Sequence, residues 1–392
     1  MNAHDAARNL LLYRFYILFN EPLFWGTILI TSLQKLAHMP LADIYYMESA
    51  VLGLCLILDI PSGALADMIG RKKTIIIGRV FLFLSVLFFT TMQTPLEAWT
   101  GNILWAIGFS LQSGADTALL YDTLKEHGRQ HEFKKIEGRA VGSRLILMAF
   151  CALATGFLAD VELRLPLWIG LPFTVIPLVA ACFFKEPPRT VEYSVHEQLR
   201  VLKQGCIFVV RSVEVRWMVG FAALLATTSK VWFFTYNPYF ELVNLPLRYY
   251  GTIFFCLNVV AWLSSHFAHS AEQYLGERTC IIGMILCVGI PILLMGAVPI
   301  LPFAYLVIIQ NIVRGFMRPF VGDYMNRHIT SDVRATALSV QSSVGNLMGI
   351  IGLALFGHIT DTLGLLSSLV MLGILSIGLG ALSYASYSRK IA

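Results

Sequence analysis

Residues 63–73 read GALADMIGRKK and join two apolar windows of the chain, 41–64 and 74–92. In this stretch two glycines flank an aspartate, and three consecutive bases follow the second glycine. Basic residues between apolar segments collect on the cytoplasmic side of a membrane protein, because translocating them across the bilayer is unfavourable. The stretch therefore predicts a short loop at the membrane surface, with a helix entering the bilayer on either side of it.

The composition of the whole chain also indicates a membrane protein. Of its 392 residues, 57% are hydrophobic and 14% are charged, and the mean hydropathy is +0.69. Soluble globular chains carry roughly 25% charged residues, so we exclude a water-soluble fold. The formal net charge is only +5, and the basic residues lie between apolar segments, which gives no indication of nucleic-acid binding.

Twelve windows are apolar enough to cross the bilayer, since a helix of roughly 20 residues spans about 30 Å of hydrocarbon. Their approximate bounds, numbered below as spans 1 to 12, are 10–33, 41–64, 74–92, 96–122, 140–160, 165–184, 214–240, 248–266, 279–297, 300–324, 335–359 and 364–387. We predict an all-α membrane protein of twelve transmembrane helices.

The distribution of basic residues predicts the orientation. With the amino terminus inside, the cytoplasmic segments hold 20 of the 29 Lys and Arg residues, the outer loops hold 3, and 6 fall within the spans. Because Lys and Arg favour the cytoplasmic side, both termini are predicted to be cytoplasmic. We expect a multi-pass protein of the bacterial inner (cytoplasmic) membrane.

The longest polar stretch, 185–213, divides the spans six and six. It predicts an amino-terminal six-helix half at 1–184 and a carboxyl-terminal half at 214–392. The apolar residues of the linker recur at helical spacing, which fits a helix on the membrane surface or an ordinary solvated linker. The loop from Ala66 is similar to the loop from Ala271, which favours an internal duplication.

The segment GALADMIGRKK resembles the signature GxLADxxGRK of the major facilitator superfamily, which lies between the second and third helices of that family. SGADTALLYD from Ser113 and RATALS from Arg334 look like patterns of its bacterial drug and metabolite transporters. The resemblance covers the whole chain. It implies a fold of two six-helix halves and proton-coupled transport by alternating access.

By this resemblance, the opening motif forms a cytoplasmic gate that stabilises the outward-open state. The glycines would permit a close helix approach and a tight turn, Asp67 would accept hydrogen bonds at a neighbouring helix amino terminus, and Arg71 would pair with Asp67 or Asp122. The predicted gate residues are Gly63, Asp67, Gly70, Arg71, Lys72 and Asp122. Alternatively, the bases only enforce topology. The similar loop from Ala271 in the second half has GER at 276–278 where the motif has GRK. The sequence therefore predicts no second gate there.

Ionisable residues inside spans cost about 3 kcal/mol each at the helix centre, so they are functional candidates. Glu21 is the first candidate for proton coupling because it lies near the middle of span 1 with no base one helical turn away. Asp116 is second, since Gly108, Gln112 and Asp116 would share one helix face, and Asp59 is third. The alternative for each acid is an ion pair with Arg14, Arg79 or Arg144.

The bases inside spans suggest an anionic substrate. Gln310, Arg314 and Arg318 repeat at i+4 spacing, and Lys230 precedes the aromatic run WFFTYNPYF. Basic groups beside aromatic rings suit an organic molecule that carries carboxylate or phosphate. Salt bridges and lipid contacts are the alternative. The predicted substrate-binding residues are Lys230, Arg314, Arg318, Gln112, Arg144, Tyr236 and Asn237.

No phosphate-binding loop, catalytic constellation or metal-ligand spacing occurs in the sequence. We therefore expect no enzyme activity, no cofactor and no metal, with the proton gradient as energy source. The predicted function is proton-driven export of a small anionic molecule by a monomer. The alternative is proton symport of an anionic metabolite, such as a carboxylate siderophore or an organic acid.

Overall fold

The computed structural model describes residues 2–187, 207–329 and 331–391. All regular secondary structure in this part of the chain is helical. The helices are α1 Ala3–Leu18, α2 Leu29–Leu36, α3 Leu41–Ile69, α4 Arg71–Thr91, α5 Pro95–Gln112, α6 Ala115–Glu126, α7 Phe133–Val161, α8 Leu165–Gly170, α9 Val175–Phe183, α10 Val213–Leu242, α11 Arg248–His266, α12 Ala268–Leu275, α13 Glu277–Ala297, α14 Val307–His328 and α15 Ser331–Ile391. Residues 207–211 are also helical, and 3-10 turns occur at Gln130–Glu132, Leu171–Thr174 and Leu301–Leu306.

Each predicted span coincides with helical residues. Among the described residues, seven helices are long and apolar enough to cross a membrane, or eight if α11 and α12, which meet at a bend of 59°, count as one span. Spans 11 and 12 both lie in α15, which is interrupted at Gly364 with φ 77° and ψ 165°. The linker prediction falls mostly on residues 188–206, which lie outside the described part of the chain.

Span 1 is broken, which corrects the prediction of one continuous helix over 10–33. Helix α1 begins at Ala3, and residues 19–28 are non-helical before α2. Pro22 has no N–H to donate and its ring clashes with the preceding turn, so a helix cannot pass through it unstrained. Phe24 has a positive φ of 65°. Glu21 therefore lies in an irregular segment and not in the middle of a helix.

Span 4 is also broken, at Ser113 and Gly114. Gly114 has a φ of 82°, a conformation that glycine adopts without steric cost. Gln112 is the last residue of α5 and Asp116 is in the first turn of α6. The predicted helix face shared by Gly108, Gln112 and Asp116 is therefore wrong, because i+4 spacing applies only to a continuous helix.

The described helices pack into two compact units. Of the described residues, unit 1 contains 2–39, 51–187 and 247–252, and unit 2 contains 40–50, 207–246, 253–329 and 331–391. Small residues bring helices together within a unit: a Cβ added at Gly78 would lie 2.9 Å from the Gly108 carbonyl oxygen. This close packing of α4 on α5 is typical of membrane helices, whose association depends on van der Waals contact. The division at 1–184, 185–213 and 214–392 stays a prediction.

Candidate functional site

A buried polar cluster lies in unit 1, formed by Tyr13, Tyr16, Arg79, Asp116 and Glu137. Asp116 is 8% exposed, and one of its carboxylate oxygens accepts from the Thr117 backbone N–H at 2.7 Å. The carboxylate also interacts electrostatically with Arg79 and Glu137. Aromatic and aliphatic side chains of α1, α6 and α9 enclose the cluster. The structure thus places the Asp116 carboxylate in a mostly apolar interior, within electrostatic range of the Arg79 guanidinium.

Arg79 fixes the break in span 1 to helix α4. It is buried, donates to the Asn20 carbonyl at 2.7 Å and to the Tyr16 hydroxyl at 3.1 Å, and lies 4.6 Å from the Tyr16 ring centroid. The break frees backbone carbonyls that an unbroken helix would bond internally. Arg79 therefore satisfies one of them, the Asn20 carbonyl, while it also interacts electrostatically with Asp116.

Glu21, the first candidate for proton coupling, forms an ion pair with Arg144 of α7. Arg144 Nη1 lies 3.0 Å from Glu21 Oε1 and donates to Asn20 Oδ1 at 2.8 Å. The Glu21 side chain is 42% exposed, in contrast to Asp116. The structure therefore joins one predicted proton-coupling residue to one predicted substrate-binding residue within unit 1.

Two further predicted residues of unit 1, Gln112 and Asp59, are not part of this ion pair. Gln112 is buried and accepts from the Tyr16 hydroxyl at 3.2 Å, so it borders the Asp116 cluster. Asp59 is exposed on α3, and its carbonyl accepts from Ser62 Oγ at 2.9 Å. Among the described residues, no base lies within ion-pair distance of the Asp59 carboxylate.

In unit 2, α10 presents the predicted substrate-binding residues beside α14 and α15. Lys230 Nζ donates to Asn346 Oδ1 at 3.3 Å. The buried Tyr236 hydroxyl donates to Gln310 Oε1 at 2.9 Å and accepts from Asn311 Nδ2 at 3.1 Å. Asn237 is also buried. The aromatic run thus forms an ordered hydrogen-bonded core, and the expectation that these aromatics contact substrate stays a prediction.

Two arginines of α14 have no carboxylate partner among the described residues. Arg314 Nη2 donates to Asn258 Oδ1 at 2.8 Å, and the amide carries no charge. Arg318, one turn further along, is exposed like Arg314. Guanidinium groups remain protonated in proteins. Unit 2 therefore holds two exposed positive charges on one helix, inside a predicted span.

The gate motif forms what we call the Arg71 corner, made of Gly70, Arg71, Lys72, Asp122 and Glu186. Arg71 forms a direct ion pair with Asp122 and donates to the Ala118 carbonyl at 2.6 Å. Both side chains of the ion pair are about one-fifth exposed. Of the two partners that the sequence allowed for Arg71, the structure selects Asp122.

Glu186, which follows span 6, caps the amino terminus of helix α4. Gly70 precedes the helix with φ 109° and ψ 142°, and its missing side chain cannot cap the first N–H groups. The Glu186 carboxylate accepts from the backbone N–H of Arg71 at 2.8 Å and of Lys72 at 2.7 Å. Asn9 fixes the neighbouring Lys185 by hydrogen bonds to its backbone. Glu186 therefore caps the amino terminus of α4, and the expectation that Asp67 accepts hydrogen bonds at a neighbouring helix amino terminus stays a prediction.

The two glycines of the motif differ in role. Gly70 forms the tight turn that the sequence predicts, with the positive φ that favours glycine. A Cβ added at Gly63 would meet no atom within 4 Å, so the close helix approach expected there is not found among the described residues. Asp67 is half-buried on the last turns of α3.

A second ion-pair cluster lies in unit 2, which we call the Arg327 corner: Gly276, Glu277, Glu272, Asp323 and Arg327. Arg327 lies 2.7 Å from Glu272 Oε1, 3.1 Å from Glu277 Oε2 and 3.0 Å from Asp323 Oδ2. Partial burial lowers the pKa of Arg327, but the three carboxylates outweigh it and raise this pKa above its ordinary value. The Tyr387 hydroxyl donates to Glu277. The sequence did not predict this cluster, because the GER segment lacks the expected bases.

Glu137, Glu186 and Arg327 are the functional candidates that sequence reasoning missed. Each lies at the end of a predicted span, where a charged residue is ordinary and carries no signal by itself. A comparison of the two halves could have found Arg327, because Gly276 and Glu277 follow the same helix-loop pattern as Gly70 and Arg71.

Comparisons with known proteins agree with the fold. The profile of the Major Facilitator Superfamily matches residues 10–353. The chain is 23% identical over 345 residues to the uncharacterized MFS-type transporter YxaM of Bacillus subtilis (strain 168), which covers 81% of each chain. Its fold is similar to the nucleoside transporter NupG, with a TM-score of 0.75 at 14% identity over 99% of both chains.

Two further solved structures share the fold. A bacterial homologue of the human lysosomal transporter Spinster, solved inward-facing and unoccupied, matches with a TM-score of 0.75 at 14% identity, over 99% of this chain and 97% of that one. A D-xylose-proton symporter matches with a TM-score of 0.67 at 14% identity, over 97% and 95%. The chain belongs to the major facilitator superfamily, and it is an all-α membrane transporter with the fold of that family, twelve transmembrane helices in two six-helix halves, and not an enzyme.

Proposed function

We propose that this transporter is proton-coupled and exports a small organic anion by alternating access across the bacterial inner (cytoplasmic) membrane, with both termini cytoplasmic. We further propose that it acts as a monomer without a cofactor and uses the proton gradient as energy source. The observation that carries the proposal is the buried carboxylate of Asp116, which interacts electrostatically with Arg79 in unit 1. Export is preferred because of the resemblance to drug transporters.

Asp116 suits a proton carrier better than the other two acids. Burial disfavours an ionised carboxyl group, whereas a neighbouring guanidinium favours it, and at Asp116 these two influences oppose each other. Glu21 is half-exposed and already forms an ion pair with Arg144. Asp59 is exposed. A carboxyl group in balance between two states can load and release a proton when its access to water changes.

The charges of unit 2 support an anionic substrate. Arg314 and Arg318 are one turn apart on α14, exposed, and without a carboxylate partner in the described part of the chain. Unneutralised charges inside a membrane span are unfavourable, and transporters retain them along substrate pathways. We infer that a carboxylate or phosphate of the substrate binds these guanidinium groups, and that Lys230, which belongs to the same unit, adds a further positive charge.

A thermal-shift screen tests the substrate class first. Purified protein is heated with a panel of di- and tricarboxylates, phosphate monoesters, neutral sugars and organic cations, because a ligand that binds the folded state raises its apparent stability. We expect stabilisation by anions that is lost in Arg314→Ala and retained in the control Arg211→Ala, a similarly exposed arginine outside the spans. Stabilisation by the cations alone would contradict the anionic substrate.

Transport in proteoliposomes tests proton coupling and direction. Vesicles are loaded with an anion from the screen, and the outside medium is then acidified. Antiport accelerates loss of the anion, whereas symport, our alternative, slows it. Asp116→Asn should abolish the response to pH, while Asp59→Asn should retain it. A loss rate that ignores the pH gradient in the parent protein would exclude proton coupling. A protein of the same fold is described as a proton symporter, so the fold accommodates such coupling.

A further inference from the structure

Two neighbouring amide side chains of α14, Gln310 and Asn311, each have one unpartnered polar atom. The Gln310 oxygen accepts from the Tyr236 hydroxyl at 2.9 Å, and the Asn311 nitrogen donates to the same hydroxyl at 3.1 Å and to the Val307 carbonyl at 2.9 Å. Gln310 Nε2 and Asn311 Oδ1 are buried and have no hydrogen-bond partner in the described part of the chain. Because both amides contact the Tyr236 oxygen, the unpartnered donor and the unpartnered acceptor belong to one local cluster.

The indole of Trp232 adds a third unpartnered atom to this cluster. It lies one turn before Tyr236 on α10, the centroids of the two rings are 5.5 Å apart, and its buried Nε1 has no hydrogen-bond partner among the described residues. A buried donor or acceptor without a partner costs about 1 to 3 kcal/mol. Polar groups inside a membrane span are retained along substrate pathways despite their cost. Three such atoms around one tyrosine therefore indicate a site for a polar group of a ligand.

Helix α14 exposes apolar and basic residues on opposite faces. Ile309 is 38% exposed and Ile312 is 41% exposed, on a face suited to lipid. At about 100° per residue, Arg314 lies about 140° from Ile309 and about 160° from Ile312 around the helix axis. The exposed Arg314 is therefore on the side away from the apolar face. Gln310 precedes it by one turn on nearly the same side, about 6 Å along the axis.

We propose that Gln310 and Asn311 bind a hydroxyl group of the substrate whose carboxylate or phosphate binds Arg314. A hydroxyl suits this place because its oxygen accepts from Gln310 Nε2 while its hydrogen is donated to Asn311 Oδ1. The substrate is then a hydroxylated organic anion, such as a sugar acid or a sugar phosphate, and not an apolar acid. The proposal rests on the proposed function, both for the anion at Arg314 and for the change of access that exposes the two amides.

Matched pairs of anions test the site by thermal-shift titration of the purified protein. Gluconate is compared with hexanoate, and glucose 6-phosphate with hexyl phosphate, because the members of each pair share the charged group and differ in their hydroxyls. We expect the hydroxylated member of at least one pair to bind about tenfold more tightly or better, since a site that hydrogen-bonds a hydroxyl rejects the analogue that lacks it. Gln310→Met should reduce this ratio to about one, whereas Arg314→Ala should weaken both members alike.

Thr360→Val is the matched control, because Thr360 Oγ1 is another buried atom of unit 2 without a hydrogen-bond partner in the described chain, and the variant should keep the parent's ratio. Equal binding within both pairs would overturn the hydroxyl site and leave water as the partner of the amides. A ratio that Gln310→Met leaves unchanged, or that Thr360→Val also abolishes, would overturn it too.

Failure of this site is distinguishable from failure of the proposed function. Binding of none of the four probes overturns the hydroxyl site, whereas the anionic substrate fails only if no carboxylate or phosphate of the wider screen binds. Melting temperatures without ligand establish that the variants fold. If Gln310→Met does not fold, Asn311→Leu replaces it, and the ratio in the parent protein tests the proposal without any variant.

Discussion

The Arg71 corner of unit 1 and the Arg327 corner of unit 2 have the same backbone arrangement with opposite charges. Each begins with a glycine of positive φ, Gly70 at 109° and Gly276 at 79°, followed directly by a long helix. The first helical residue then pairs with a residue near the end of another helix. In unit 1 a base, Arg71, pairs with an acid, whereas in unit 2 an acid, Glu277, pairs with a base.

The helix dipole explains why the two corners need different surroundings. A helix amino terminus carries partial positive charge, so an acid there is favourable and a base is not. Glu277 satisfies this preference by itself. Arg71 and Lys72 oppose it, and the carboxylate of Glu186 compensates by accepting from both of their N–H groups. Both corners thus have an ion pair at the first helical residue, and the signs of the charges differ because Glu186 supplies a cap to α4.

Charge reversal should produce the largest difference in melting temperature between the two corners. Arg327→Glu would place a fourth carboxylate among Glu272, Glu277 and Asp323. In Arg71→Glu, the new carboxylate would lie beside those of Asp122 and Glu186. We expect melting temperatures in detergent to fall by roughly 10 °C for the first and roughly 5 °C for the second. An equal or larger loss in Arg71→Glu would show that the three carboxylates do not act together on Arg327.

Exchange of the paired charges should restore stability more fully in unit 1 than in unit 2. Arg71→Glu combined with Asp122→Arg re-forms one ion pair, and we expect a favourable coupling of about 1 to 3 kcal/mol in a double-mutant cycle of melting data. Arg327→Glu with Glu277→Arg should recover less, because two carboxylates of that corner keep facing an acid at 327. Equal recovery in both corners would contradict the distinction between a single pair and a network.

Removal of the supplied cap should affect only the Arg71 corner. Glu186→Ala leaves the first N–H groups of α4 without a protein acceptor, and we expect a loss of about 1 kcal/mol, or roughly 2 to 4 °C in melting temperature. Glu186→Gln retains a carbonyl acceptor and should lose less, which makes it the control. If alanine and glutamine variants melt with the parent protein, the cap does not contribute to stability.

The smallest loss of stability is expected for a change at Tyr387, which lies at the edge of the Arg327 corner. Tyr387→Phe removes the hydrogen bond to Glu277, which still has Arg327 as a partner, so the loss should be about 1 kcal/mol or less. Tyr384→Phe, a change at the neighbouring tyrosine whose ring centroid lies 6.4 Å away, is the control. A larger loss for Tyr387→Phe than for Arg71→Glu would invert the proposed order of contributions.

The sequence predicted the helices better than their interruptions. Every window predicted from hydropathy overlaps helical residues, because an apolar window of sufficient length admits few other structures in a bilayer. Hydropathy did not show the breaks at Asn20 and Gly114, since membrane helices often continue through proline and glycine. The consequence was largest for Glu21 and Asp116, which were assigned to continuous helices and lie in or beside irregular segments.

The contacts of charged residues at the ends of spans were also not predicted from the sequence. Glu186 precedes two prolines in KEPPR and was interpreted only as the boundary between halves, although it caps a helix 115 positions away. Glu137 resembled an ordinary surface residue beside the bases that set topology. Neither residue type nor local spacing reveals a partner on another helix, because that partner depends on how the helices are placed side by side.

The sequence by itself determined the fold class, the number of spans and the family signature, because each follows from local composition, from hydropathy over a window, or from a contiguous motif. Only the tertiary structure decided which charges meet: Arg71 with Asp122, Glu21 with Arg144, and Tyr13 with Glu137. The members of each pair lie on different helices, far apart in the chain. Their meeting depends on helix rotation and close packing, which set distances of a few ångströms that no local pattern encodes.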